Sequence, residues 1–157
     1  MRLLTLSVLL LTLLFSVVGC GVAELAAYSS QFDPKRDAFA DLKSAVGKAQ
    51  KEQKLILLEF GGDWCRWCHI MDAFFVDNPQ IKKDLLRVFV LLKVNVSEEN
   101  GNEAFLKGFP EIPGYPHFLI LDNEGALIAA QGTAELEQGE SYSLQAFQAF
   151  IDKWEHY

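Results

Sequence analysis

The feature that most constrains the fold is a short apolar run, Leu55 to Leu58, which is followed closely by two cysteines, Cys65 and Cys68. An uninterrupted apolar run of this length is typical of a strand that is covered on both faces. Around it, the chain alternates between segments of helical and of strand character, which predicts an α/β sandwich with a central mixed β-sheet flanked by helices. The predicted helices cover residues 37–50, 65–75, 78–86, 103–107 and 143–156, and the predicted strands cover residues 54–60, 88–96, 118–121 and 126–131.

The first segment has the composition of an export signal. One positive charge at Arg2 precedes an apolar run over residues 3–18. This run is shorter than the ~20 apolar residues that a spanning helix usually needs. It ends in Val-Val-Gly-Cys, which resembles a bacterial lipobox, so that Cys20 would carry the lipid. An uncleaved N-terminal membrane anchor is the alternative. The predicted division is a signal peptide (1–19), a lipidated N-terminus and tether (20–31) and one domain (32–157).

The cysteine count fits this division. The chain has three cysteines, and lipidation of Cys20 accounts for the odd one in an exported protein. Cys65 and Cys68 are separated by only two residues, so a disulfide between them closes too small a loop to stabilise the fold much. Their spacing therefore indicates chemistry rather than a structural cross-link.

Charge and length exclude other classes of protein. The net charge of −7, without a basic stripe, argues against a nucleic-acid surface, which needs clustered Lys and Arg. A chain of 157 residues, half of them apolar, suits a single domain. We expect a monomer.

The segment around the cysteines suits thiol chemistry. Cys65 lies at the predicted start of a helix, where unpaired backbone N–H groups and the helix dipole lower the pKa of a thiol. Arg66 further favours the thiolate, and Cys68, one turn later, can resolve a mixed disulfide. Trp64 and Trp67 are predicted to form an apolar surface against which an extended substrate can lie.

The segment from Gly61 to His69 resembles the active-site loop of the thioredoxin superfamily, most closely the group with a W-C-x-W-C motif after a Leu-Glu-Phe-Gly strand end. The resemblance extends over residues 32–157 and implies a thioredoxin-like sandwich. It also implies a buried carboxylate six residues before the first cysteine. Here that residue is Glu59, which would relay a proton to or from Cys68. Its matching cation is Lys93; a structural ion pair is the alternative role for Glu59.

The third landmark that the resemblance implies is a cis-proline facing the cysteines. Pro116 fits this position better than Pro113, which lies farther from the following strand. Such a proline fixes the chain so that the backbone of Tyr115 can pair with a substrate as an added strand.

Three other functions remain open. The motif also reads C-x-x-C-H, the attachment site of c-type haem, with His117 or His156 as the second axial ligand. Cys65, Cys68 and His69 supply at most three zinc ligands, which is a weaker pattern. A simpler role for His69, within the oxidoreductase hypothesis, is to tune the pKa of Cys65 near neutral pH. The third alternative is a non-catalytic adaptor whose cysteines stay oxidised.

We predict a thiol–disulfide oxidoreductase, with a slight preference for reduction, that needs neither a metal nor a dissociable cofactor. The predicted partners are cysteine-containing exported proteins and a membrane or periplasmic redox protein. The predicted location is the periplasmic side of a bacterial envelope, where the lipid on Cys20 holds the protein. The outer membrane is slightly favoured, because Gly21 stands where related Gram-negative lipoproteins retained in the inner membrane have Asp.

Overall fold

The computed structural model describes residues 28–157. The predicted signal peptide, the predicted lipidation at Cys20 and the tether up to residue 27 lie outside these residues. Within the described part of the chain, no helix is both long and apolar enough to cross a membrane.

Five helices and six strands make up this part of the chain. The helices are α1 (Ala38–Glu52), α2 (Arg66–Asp77), α3 (Pro79–Val88), α4 (Glu103–Leu106) and α5 (Leu144–Glu155). The strands are β1 (Leu55–Gly61), β2 (Phe89–Asn95), β3 (His117–Leu121), β4 (Leu127–Gly132), β5 (Glu137–Gln138) and β6 (Ser141–Tyr142).

The main sheet has four strands in the order β2-β1-β3-β4 and is mixed, as predicted. β1 and β2 run parallel, whereas β3 runs antiparallel to both β1 and β4. In this register Glu59 lies between Lys93 of β2 and Phe118 of β3. The three side chains therefore share one face of the sheet.

Helices cover both faces of the sheet, which confirms the predicted sandwich. Leu57 and Phe118 point to the face covered by α2, α3 and α5, which we call the α2 face. Ile56 and Leu119 point to the opposite face, covered by α1 and α4, which we call the α1 face. β1 is thus buried on both sides, as its uninterrupted apolar sequence predicts.

Side chains at the helix ends set the helix boundaries. Asp37 accepts hydrogen bonds from the backbone N–H groups of Phe39 and Ala40, and Ser143 caps α5 in the same way. Pro79 occupies the first turn of α3, where a missing N–H costs nothing. These caps explain why the predicted helices agree with the structure to within a few residues.

Two features differ from the sequence prediction. A 3₁₀ turn (Thr133–Leu136) and the hairpin of β5 and β6 follow β4; each of these strands has two residues, too few for an alternating pattern to be read. The predicted tether also packs against the domain before Phe32. The backbone oxygen of Ser29 accepts a hydrogen bond from the N–H of Lys93 on the edge strand β2 (3.1 Å), and Tyr28 packs on the core of the α1 face.

Candidate active site

The cysteine pair lies where β1 passes into α2. Cys65 is the N-cap of α2 in extended conformation, and its sulfur accepts a hydrogen bond from the N–H of Cys68 (3.2 Å). The two cysteines form a disulfide, with an S–S distance of 2.06 Å and a Cα–Cα distance of 5.3 Å. Cys65 therefore stands at the positive end of the helix dipole, which favours a thiolate there after reduction.

Cys68 packs directly on the end of β1. A Cβ atom added at Gly61 would lie 2.5 Å from the sulfur of Cys68 and 2.8 Å from the ring of Phe32. Because a real Cβ atom does not come this close to another heavy atom, only glycine at this position lets the sulfur approach the strand. Glu59 lies two residues earlier on the same face of the strand, so it shares with Gly61 the side of the sheet that Cys68 covers.

Phe32 completes the enclosure and was not identified from the sequence. Its ring forms a small buried cluster with Cys65 and Cys68, against which Tyr115 packs. The ammonium group of Lys93 lies 4.6 Å from the centroid of the same ring, in a cation–π contact. One aromatic ring thus joins the cysteines to the buried charges; its only sequence signal was an apolar residue at the predicted start of the domain.

The predicted acid and cation meet beneath the cysteines. Glu59 is fully buried, and the ammonium group of Lys93 lies 3.7 Å from one of its carboxylate oxygens. This distance makes an ion pair but is too long for a hydrogen bond. Lys93 instead donates to the carboxylate of Asp72 at 2.5 Å. Among residues 28–157, neither carboxylate oxygen of Glu59 has a hydrogen-bond donor.

This environment raises the pKa of Glu59 to about 7. Burial is the largest cause, because it penalises the charged form. The charge of Lys93 opposes the shift, and the negative charge of Asp72 adds to it. Asp72 was not singled out in the sequence; its signal is the spacing of four residues from Cys68, which places both on one side of α2.

The predicted cis-proline is present. The peptide bond between Tyr115 and Pro116 is cis, and Pro116 is buried immediately before β3. The backbone oxygen of Pro116 accepts a hydrogen bond from the hydroxyl of Thr133 (2.5 Å). Since Tyr115 packs on the cysteine cluster, the proline loop and the disulfide lie side by side.

The two tryptophans occupy different environments. Trp64 is 59% exposed, donates from its indole N–H to the backbone oxygen of Val96 (2.6 Å), and contacts the ring of Tyr115 edge-on at 5.4 Å. Trp67 is half-buried and packs edge-on against Tyr142 at 5.5 Å, as part of the core of the α2 face. Trp64 thus offers an exposed ring next to Cys65, whereas Trp67 is mainly a packing residue.

The remaining predicted residues lie at the start of α2. Arg66 is exposed at the first helical position, next to Cys65. His69 is also exposed and donates from Nε2 to the backbone oxygen of Asp63 (2.7 Å). His69 therefore ties the first turn of the helix to the loop that precedes it.

The two histidines that the haem alternative needs as a second axial ligand lie away from the start of α2. His117 alternates with Phe118 along β3 and so lies on the α1 face, across the sheet from α2 and His69. His156 follows α5, whose last residues line a cavity with Leu55 at the opposite end of β1. Among the described residues, no group of three or more His, Cys, Asp or Glu is arranged to hold a metal ion.

Comparisons with known proteins agree with this geometry. The sequence model of the thioredoxin-like family matches residues 37–123, more than half of the chain. A thiol:disulfide interchange protein DsbD from Pseudomonas fluorescens is 28% identical over 116 residues. That match covers 73% of this chain but only 18% of the longer DsbD protein, so the chain corresponds to a small part of that relative.

Two solved structures share the fold. A disulphide isomerase from Xylella fastidiosa superposes with a TM-score of 0.66 at 23% identity, covering 78% of this chain and 94% of the other. The oxidised C-terminal domain of DsbD from Neisseria meningitidis gives a TM-score of 0.51 at 21% identity, covering 83% and 98%. At these identities the superpositions establish the arrangement of helices and strands.

Proposed function

The chain belongs to the thioredoxin-like family, and on this basis we propose that it is a thiol–disulfide oxidoreductase acting through Cys65 and Cys68. The observation that carries the proposal is the disulfide at the N-terminus of α2, held over a buried carboxyl group whose pKa is about 7. A structural cross-link would need neither a helix terminus to stabilise a thiolate nor a proton acceptor beneath it.

In the reducing direction the exchange has two steps. The Cys65 thiolate attacks one sulfur of a substrate disulfide, and the other substrate sulfur leaves as a thiolate, giving a mixed disulfide. Cys68 then loses its proton to Glu59 and attacks the sulfur of Cys65, which releases the second substrate thiolate. The two electrons that reduce the substrate come from the two thiols, which end as the disulfide. No dissociable cofactor takes part.

The substrate lies over the surface formed by Trp64 and the proline loop. Tyr115 lies beside the cysteines, so its backbone is available to pair with an extended substrate segment, while the exposed ring of Trp64 packs against it. Arg66, exposed beside Cys65, favours the thiolate through its charge. Lys93 donates a hydrogen bond to Asp72, and its positive charge favours the ionised form of Glu59. His69 fixes the loop before the helix.

We propose that the protein is located on the periplasmic side of a bacterial envelope. Residues 1–19 serve as the signal peptide, and Cys20 carries the lipid that anchors the mature chain. The substrates are cysteine-containing exported proteins, and a membrane or periplasmic redox protein restores the reduced state. We assign the chain preferentially to the outer membrane and to reduction rather than oxidation, as a monomer.

Reduction of insulin disulfides tests the activity. We expect the purified protein to accelerate insulin precipitation in the presence of dithiothreitol, and a Cys65→Ser variant to show only the rate of dithiothreitol alone. Equal rates for both proteins would support the non-catalytic adaptor instead. In cells, a Cys68→Ser variant should retain substrates as mixed disulfides on Cys65, and mass spectrometry identifies them.

A further inference from the structure

A groove of about 800 Å³ reaches the active-site loop, because Trp64, the residue before Cys65, forms one of its walls. Pro34 and Val96 supply further apolar surface. Three exposed acids, Asp63, Glu98 and Glu99, also line it. The groove therefore combines an aromatic surface with negative charge at the loop that leads into Cys65.

The indole of Trp64 is fixed before any ligand arrives. Its N–H group donates to the backbone oxygen of Val96 at 2.6 Å, and its ring meets the ring of Tyr115 in a T-shaped contact. A ring that is fixed and still 59% exposed gives up little conformational entropy when a ligand covers it. The face of an indole attracts cations through its quadrupole, and arginine and lysine are its usual partners in proteins.

Within the described part of the chain, the carboxylates of the groove have no cationic partner. Among residues 28–157, no ion pair involves Asp63, Glu98 or Glu99, and no Lys, Arg or His lines the groove. Their charges add to the overall net charge of −7. An acidic ligand would be repelled by this surface, whereas a basic ligand can pair with the carboxylates and pack on the face of the indole.

We propose that this groove receives an arginine or lysine side chain that flanks the reacting cysteine of the substrate. The inference rests on the proposed disulfide exchange and assigns its substrate class as basic cysteine-containing segments. The rings of Trp64 and Tyr115 are only 5.4 Å apart, so a segment bound at Tyr115 lies close to Trp64. A segment paired with the backbone of Tyr115 can reach Trp64 with a neighbouring side chain, since successive residues of a strand are about 3.3 Å apart.

The test uses two peptides of equal length, each with a single cysteine in a mixed disulfide with 2-nitro-5-thiobenzoate. One peptide has lysine on both sides of the cysteine, and the other has glutamate. The reduced protein attacks the peptide sulfur through Cys65, and the coloured thiobenzoate leaves with the electron pair. Cys68 then attacks Cys65 and releases the peptide thiolate, so the released colour reports the rate of the first step.

Two charge-reversal variants separate the groove from the net charge. Glu98→Lys/Glu99→Lys alters the groove, whereas Asp77→Lys/Glu124→Lys makes the same change in net charge at exposed positions elsewhere. Asp77 ends α2, and Glu124 lies in the turn after β3, at the opposite end of that strand from Pro116. Circular dichroism establishes that both variants fold.

At low ionic strength we expect the wild-type protein to react with the lysine peptide about 10-fold faster than with the glutamate peptide. The ratio should persist in Asp77→Lys/Glu124→Lys and approach one in Glu98→Lys/Glu99→Lys. A wild-type ratio near one, or an equal loss of the ratio in both variants, would overturn the assignment of the groove. Absence of colour release from either peptide would instead refute the proposed exchange, and the substrate class with it.

Discussion

Glu59 and Lys93 face each other across two parallel strands at 3.7 Å, yet Lys93 donates its hydrogen bond to Asp72 and not to Glu59. Glu59 is thus left near a positive charge but, among the described residues, without a hydrogen-bond donor. Burial then outweighs the attraction to Lys93, and the pKa of Glu59 rises to about 7. Near neutral pH such a group both accepts and returns a proton.

The raised pKa predicts a pH-dependent stability. Between pH 4.5 and 7 the folded protein keeps a proton on Glu59 that the unfolded chain has lost, so stability falls as the pH rises through this window. The full loss, reached above pH 7, is roughly 3 kcal/mol. Glu59→Gln cannot ionise and should therefore be more stable than wild type at pH 8 by up to this amount, and similar to it at pH 4.5. Urea denaturation of the oxidised proteins measures the difference, and the same difference at both pH values would contradict the prediction.

The same substitution should slow the resolving step. Without the carboxylate, Cys68 has no buried proton acceptor, and we expect its attack on the mixed disulfide to be about 100-fold slower at pH 7. The deficit should shrink above pH 9, because a thiol with an ordinary pKa of about 8.5 ionises there unaided. Stopped-flow decay of a mixed disulfide on Cys65 gives the rate, and Glu59→Asp should recover part of it. A Glu59→Gln protein that resolves at the wild-type rate at pH 7 would exclude Glu59 as the acceptor.

Gly61→Ala tests the close approach of Cys68 to β1. The new Cβ atom would meet the sulfur of Cys68 at 2.5 Å and the ring of Phe32 at 2.8 Å. We expect overpacking to cost about 1–3 kcal/mol of unfolding free energy. Gly47→Ala is the matched control, because no atom lies within 4 Å of its Cβ position in α1. It should stabilise the helix by about 0.5–1 kcal/mol. Chemical denaturation distinguishes the two, and equal effects would argue against a close contact at Gly61.

Phe32→Ala tests the ring that encloses the site. Removing it exposes Cys68 and ends the cation–π contact with Lys93, and we expect a loss of about 3 kcal/mol. In the reduced protein, iodoacetamide should alkylate Cys68 faster than in wild type, as peptide mass mapping reports. Phe39→Ala removes an exposed ring from α1 and should cost about 1 kcal/mol or less, without changing the alkylation of Cys68. Unchanged alkylation in Phe32→Ala would show that the ring does not shield the sulfur.

Much of the fold follows from patterns that are local in sequence. The apolar run of β1, the capping Asp37 and the Asn78-Pro79 break each define a boundary through nearby residues, so the predicted elements agree closely with the structure. The short β5–β6 hairpin was missed because two-residue strands carry no periodicity. The proline loop was predicted from resemblance, since nothing local distinguishes the isomer of the bond before Pro116 from that before Pro113.

The site was harder to predict where it depends on contacts between distant segments. Cys65, Cys68 and Glu59 lie within ten positions of one another, and their relation can be read from one strand and one helix. Phe32 and Asp72 belong to the site only because the N-terminal segment crosses β2 and α2 lies over Lys93. The contrast between Trp64 and Trp67 likewise depends on Val96 and Tyr142, which the sequence places far from both rings.

The attachment of Ser29 to β2 limits how far the cysteine pair can lie from Cys20. If Cys20 carries the proposed lipid, Phe32, whose ring touches the Cys68 side of the site, lies only twelve positions farther along the chain. A chain of that length spans at most about 43 Å. The thiol pair would then sample a thin layer next to the membrane, so the proteins it meets must themselves be embedded there or pass through it.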